Sequence, residues 1–193
     1  MSEDAAAKRR ARQTVTNLIL ALIASMGIML AIVLIVPRDD SNRIQPVDYK
    51  SIAADASTVS GHQVLAPMMP KGWWANSARY NDKPDDGVQN WYLGFVGPKN
   101  QYIGLTQAFG INPTWLAYQV KDDAKTGTQA IGSYTWDIYE ATQPNDPPKT
   151  KDYQMVLKYN KTDVVIIYGV AKPSDFVTIA TSIQNKLTEG MNK

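Results

Sequence analysis

Residues 15–36, VTNLILALIASMGIMLAIVLIV, are a run of 22 residues without a charge, and 13 of them are Leu, Ile or Val. A helix rising ~1.5 Å per residue carries such a run over ~33 Å, against a bilayer hydrocarbon core of ~30 Å. Each Leu, Ile or Val near the centre favours insertion by ~0.3–0.6 kcal/mol, and no charge opposes the sum. A helix buried in a soluble core would carry one apolar stripe, whereas here the apolar residues go all the way round. The run predicts a membrane-spanning anchor over residues 14–37.

Charge sets its direction. Lys8, Arg9, Arg10 and Arg12 precede the run against Glu3 and Asp4, while Arg38 and Arg43 after it are balanced by Asp39 and Asp40. Positive flanks stay in the cytoplasm, so residues 1–13 are expected to be a cytoplasmic tail too small to fold. Residues 38–46 then read as a polar linker and 47–193 as an extracytoplasmic domain. A cleavable signal peptide also begins with basic residues, but its apolar core is ~7–15 residues long and ends at small residues. This run is longer and ends Val-Leu-Ile-Val-Pro, so an uncleaved plasma-membrane anchor is the better reading. Along its helix Asn17, Ala21, Ala24, Gly27 and Ala31 share one side. Small residues there let another membrane helix approach closely.

The chain has 20 basic and 18 acidic residues; setting aside the tail's 4 and 2 leaves 16 of each, so the outer domain is neutral. Nucleic-acid binding needs a concentrated basic face and is not expected of it. There is no cysteine, so packing alone must hold the domain in an oxidising location. All 5 Trp, 10 Tyr and 3 Phe lie in the outer domain.

Helical spacing of Tyr49, Ile52, Ala53 and Ala56 predicts a short helix within residues 47–57. A short strand is expected at His62–Ala66, and another from Lys71 to Tyr80, followed by the turn Asn81–Gly87. Residues 88–96 and 101–109 read as a hairpin around Gly97–Asn100. Asn112 caps a helix with Pro113 at its first position and a face of Trp115, Leu116, Gln119 and Val120. Strands at 127–131 and 134–142, a second hairpin at 153–159 and 163–171, and a last helix capped by Ser174 complete the chain. The expected class is α+β: a single N-terminal transmembrane helix plus an antiparallel sheet of six or seven strands covered by helices.

Several stretches carry a family resemblance: Val47–Tyr49 (VDY), Leu65–Trp73 (LAPMMPKGW), Ser77–Tyr80 (SARY) and Trp91–Pro98 (WYLGFVGP). Tyr102–Gln107, Tyr134–Glu140, Gly169–Ala171 and Phe176–Ile183 continue it in order. With the basic tail and single anchor, the chain resembles the actinobacterial family called domain of unknown function 4245. The resemblance implies an envelope protein with one outward domain, and it brings no catalytic residues.

Catalytic chemistry finds no foothold. His62 is the only histidine, and no G-x-S-x-G elbow exists for a nucleophile to use it. Asn81–Gly87 is a poor calcium loop: counted from Asp82, its third position is Pro84 and its twelfth Leu93. Asp122 and Asp123 are neighbours and would diverge on a helix. No phosphate loop, cofactor site or metal site is expected. Among the aromatics, Trp73–Trp74 and Trp91–Tyr92 are adjacent pairs in strands, so one ring of each should face away from the core and can contact a partner or ligand.

The expected function is that of a non-catalytic accessory protein, held in membrane lipid and docking on one or more integral membrane proteins such as a respiratory or envelope complex. The alternative is an extracytoplasmic module that binds a lipid or a cell-wall fragment. A deep apolar pocket between sheet and helices would favour the alternative, and a solid core the first.

Overall fold

A computed structural model describes residues 3–35, 45–120, 123–143 and 149–191. They fall into two compact units, Met1–Arg43 and Ile44–Lys193. The first holds one helix, α1 (Glu3–Ile35). Its stretch Ala7–Ile35 is long and apolar enough to cross a membrane, and it stands exposed among the described residues. The tail does not stay unfolded as the sequence suggested. Ala5–Arg10 are strong helix formers, and they prolong a helix whose costly nucleus the apolar run has already supplied.

The second unit is a seven-stranded sheet with helices on both faces. In chain order it runs α2 (Tyr49–Ser60), β1 (Trp74–Asn81), β2 (Asn90–Val96), β3 (Tyr102–Ala108), α3 (Pro113–Gln119), β4 (Asp123–Ile131), β5 (Tyr134–Ala141), β6 (Tyr153–Lys158), β7 (Val164–Gly169) and α4 (Pro173–Met191). The spatial order is β1-β2-β3-β7-β6-β5-β4, and every neighbouring pair is antiparallel. Two meanders, β1–β3 and β4–β7, thus join where β3 pairs with β7. The β4–β5 turn has only Gly132 and Ser133, and Gly132 takes φ 56°, the left-handed value a two-residue hairpin turn demands.

Period-two alternation sorts the sheet into two faces. On one, Trp91, Leu93 and Phe95 of β2, Ile103 and Leu105 of β3, Met155 and Leu157 of β6, and Val165 and Ile167 of β7 are at most 1 % exposed. Ala53 and Ala56 of α2 and Phe176, Ile179, Ala180 and Ile183 of α4 close over them in one cluster. Each large side chain removed from water there contributes ~1.5–3 kcal/mol. The other face carries a smaller cluster in which Trp115 and Leu116 of α3 pack on Val88, Ala108, Val156, Val164 and Ile166. Helices therefore cover both faces, the second only in part.

Capping explains where the helices begin. Asp48 and Asn112 accept bonds from the backbone N–H groups of Ser51 and Trp115, at 3.3 and 2.8 Å. Ser174 does not cap α4 as expected. It lies inside the first turn, and the Asp175 carboxylate reaches back to the Lys172 N–H at 3.3 Å instead.

His62–Ala66 is not a strand. The segment runs over the sheet as an irregular strap, because side chains and not a neighbouring strand take its backbone groups. The Ser57 hydroxyl accepts from Val64 N–H at 3.0 Å and Gln107 Oε1 from Leu65 N–H at 2.9 Å, while Trp91 Nε1 donates to the Leu65 carbonyl at 2.9 Å.

Candidate functional site

Two places on the second unit offer more than a solvated surface. The first is the seam between α2 and α4, where small residues leave an open groove of about 770 Å³. Ala53, Ala54 and Ser57 line it from α2, Lys186 and Glu189 from α4, Gln63 and Val64 from the strap, and Met68 from just beyond it. Lys186 Nζ and Glu189 Oε2 are 2.8 Å apart, a surface pair one helical turn long. Gln63 Nε2 crosses to the Lys186 carbonyl at 2.9 Å and fastens the strap to α4. Small residues on one wall, an exposed Met68 and lysines on the rim make a groove that can accept a narrow apolar segment with polar ends.

The second is a cluster of rings on the face that α2 and α4 leave uncovered. The register sets Gly94 opposite Gly104, and Tyr102 opposite Val96. The Tyr92 and Tyr102 hydroxyls are hydrogen-bonded to each other over Gly94. The Tyr168 ring crosses Gly104 so closely that a Cβ there would lie 2.7 Å from it. Arg79 sets its guanidinium 4.4 Å from the centre of the Tyr92 ring, and Lys151 sits 5.7 Å from that of Tyr168. Burial, aided by the bond to Tyr92, pushes the Tyr102 phenol far above its ordinary value, and burial also raises Tyr168. Both phenols stay neutral at physiological pH. They can donate and accept hydrogen bonds, and they cannot serve as phenolate bases.

The four aromatic residues singled out in the sequence do not form one site. Trp74 and Tyr92 are the outward rings of their pairs, half-buried on the open face. Trp73 packs against the helix-side core, its ring over Gly97. Trp91 is wholly buried, so it is a core residue and not a contact for any partner. The reason is parity: Leu93 and Phe95 point inward, so Trp91 must as well. Tyr102 was within reach of the sequence, since the Gly97–Asn100 turn fixes the β2–β3 register. Tyr168 was not, because the β3–β7 pairing is non-local.

His62 stacks flat on Phe109, with centroids 4.2 Å apart and planes 9° apart. Among the described residues no three of His, Cys, Asp and Glu converge as metal ligands. Asp122 lies outside the described residues, and Asp123 accepts a hydrogen bond from Gln154 Nε2. Asn17, Ala21, Ala24, Gly27 and Ala31 all stand exposed on α1, and a Cβ added at Gly27 would meet nothing within 4 Å.

A family described as "Protein of unknown function (DUF4245)" matches residues 10–183. No match was found among curated proteins or solved structures. The match takes in the whole apolar run of α1, all seven strands and α4 as far as Ile183. The chain belongs to the DUF4245 family.

Proposed function

We propose that this protein is a single-pass accessory protein of the plasma membrane: α1 anchors it with the N-terminus in the cytoplasm, and the sheet domain outside docks on a larger integral membrane assembly without catalysing a reaction. The observation that carries this is the filled interior. Trp91, Leu93, Phe95, Ile103, Leu105 and Ile167 are completely buried between sheet and helices, so side chains fill the space where a chamber for a substrate would lie. Partners meet it at the α2–α4 groove and, within the bilayer, along Asn17, Ala21, Ala24, Gly27 and Ala31.

Purification of the full chain in mild detergent, with mass spectrometry of what accompanies it, tests the reading. An integral membrane protein in fixed ratio supports it. Full-length protein recovered alone, with its domain protected from protease added to spheroplasts, would overturn both docking and topology.

The groove favours a second reading as well. At about 770 Å³ it has the volume of a small-molecule site, and it can hold one chain of a lipid or a cell-wall fragment. Co-purification of a lipid in place of a protein would support that reading.

A further inference from the structure

The outer domain is neutral as a whole, but at one hollow lysines outnumber acids. The chain enters the domain at one end of the sheet, where Val47 N–H donates to the Ala75 carbonyl at 2.9 Å. At that end Lys71 in the turn before β1, Lys99 in the β2–β3 turn and Lys172 ahead of α4 line one shallow hollow of about 260 Å³ with Pro70, Trp73 and Pro98. All three lysines are exposed, and among the described residues none is in an ion pair. Asp175 also lines the hollow, and its carboxylate accepts from the Lys172 N–H at 3.3 Å.

We infer that the Lys71–Lys99–Lys172 hollow, with Trp73 in its wall, is a docking surface for the anionic lipid headgroups of the membrane that holds α1. Three separate loops bring three lysines to a hollow that holds one carboxylate, Asp175, and the excess of positive charge is complementary to a layer of phosphates. A lysine ammonium can approach a phosphate at the end of its long stem while its methylenes lie along apolar surface. Trp73, half-buried with one edge toward the hollow, has the mixed character that places tryptophan at membrane interfaces. The tether decides between a bilayer and a soluble acidic protein. Residues 36–44 join Ile35 to Gln45, and even fully extended they reach no more than ~35 Å. Attraction of a lysine to an anionic surface fades within about 10 Å at moderate salt, and a tether of limited reach raises the effective concentration of that surface at the domain.

The inference rests on α1 being an anchor, and the test separates the two. The full chain has no cysteine, so Ser174→Cys beside Lys172 and Ser133→Cys in the far β4–β5 turn each give one labelling site. Each labelled full-length protein is reconstituted into phosphatidylcholine vesicles, with or without about one-third phosphatidylglycerol, carrying a trace of headgroup quencher. At position 174 the label should be quenched in the anionic vesicles, and ~1 M salt should release it. Each lysine replaced by Gln should lower the ratio of docked to undocked protein about fivefold. Lys99→Gln alone, on an exposed turn, reads this without risk to the fold. At position 133 the label should stay bright throughout. Equal quenching at the two positions, quenching at 174 independent of anionic lipid, or none at all overturns the docking surface while leaving the anchor intact. Protein that fails to float with the vesicles overturns the anchor, and the docking with it.

Discussion

Gln107, on the sheet face beneath the strap, holds Leu65 in place. Its Oε1 accepts from the Leu65 N–H at 2.9 Å, while its Nε2 donates to the Gln63 carbonyl at 2.9 Å and to the Tyr159 hydroxyl at 3.0 Å. Gln107 is fully buried, and Trp91 Nε1 completes the clamp at the Leu65 carbonyl, 2.9 Å away. The strap at 63–66 has no strand to pair with, and these side chains stand in for one.

Breaking this clamp should cost more than its size suggests. Gln107→Leu keeps the volume but strands the buried Leu65 N–H, at ~1–3 kcal/mol, and also drops the bond to the Gln63 carbonyl. Trp91 and Trp136 give an internal comparison, since both are fully buried. Trp91→Phe removes a bonded donor, whereas Trp136 Nε1 has no acceptor among the described residues. Urea unfolding should therefore show Gln107→Leu and Trp91→Phe clearly destabilised, and Trp136→Phe less so than Trp91→Phe. Equal losses at the two tryptophans would mean the bond to Leu65 contributes nothing.

Gly104 exists to make room for Tyr168. A methyl group there meets the ring at 2.7 Å, and overpacking of this kind costs ~1–3 kcal/mol. Gly169→Ala should be worse, because its Cβ would run into the Tyr102 carbonyl, and backbone cannot swing aside as a ring can. Gly127→Ala, with nothing within 4 Å, should change stability by no more than ~0.5 kcal/mol. In a double-mutant cycle, Gly104→Ala should lose its cost in a Tyr168→Ala background. A cost that persists there would place the strain elsewhere.

These residues also show what could be read from the sequence. The β2–β3 hairpin, the Asn112 cap and the apolar face of α4 were legible, because spacing and turn chemistry within a few residues determine them. The strap was misread as a strand because its partners, Gln107 and Trp91, are remote side chains that local alternation does not reveal. The β3–β7 pairing was equally out of reach, so the meeting of Tyr92, Tyr102 and Tyr168 could not be foreseen. α3 read correctly as a helix, but its place on the second face depends on Val156 and Ile166, far along the chain.

Alkaline pH should loosen the domain through Tyr159. Burial raises its phenol well above the ordinary 10.0, outweighing the Gln107 bond that favours the ionised form. Below pH ~10 both folded and unfolded chains keep the proton, and the contribution is fully present. Above that, the unfolded chain ionises first and binds fewer protons, so stability falls as pH rises toward the folded value. One such group gives a slope of at most ~1.4 kcal/mol per pH unit. Tyr159→Phe has no proton to lose. It should start less stable at neutral pH, for want of the Gln107 bond, and decline less steeply above pH ~10 in urea titrations. Parallel curves would show that Tyr159 ionises alike in both states.

The face of α1 marked by Ala21, Ala24, Gly27 and Ala31 is expected to pack on a neighbouring membrane helix. Glycine inside a helix costs ~1 kcal/mol relative to alanine, and among the described residues none comes within 4 Å of a Cβ added at Gly27. Close approach of a second helix would use it, exchanging lipid contacts for tight packing, with Asn17 on the same side adding a hydrogen bond worth ~0.6 kcal/mol. Replacing Gly27 and Ala31 by Leu keeps the span apolar, so insertion should be unchanged. The added side chains would hold the two helices apart and remove most of the packing. Co-purification of a membrane partner, or crosslinking to a second copy of the chain, should then fall sharply relative to Leu30→Ile and Leu34→Ile. If both pairs of variants behave alike, α1 is a tether alone, and the contacts that choose a partner must lie on the domain, at the α2–α4 groove or beside Trp74 and Tyr92.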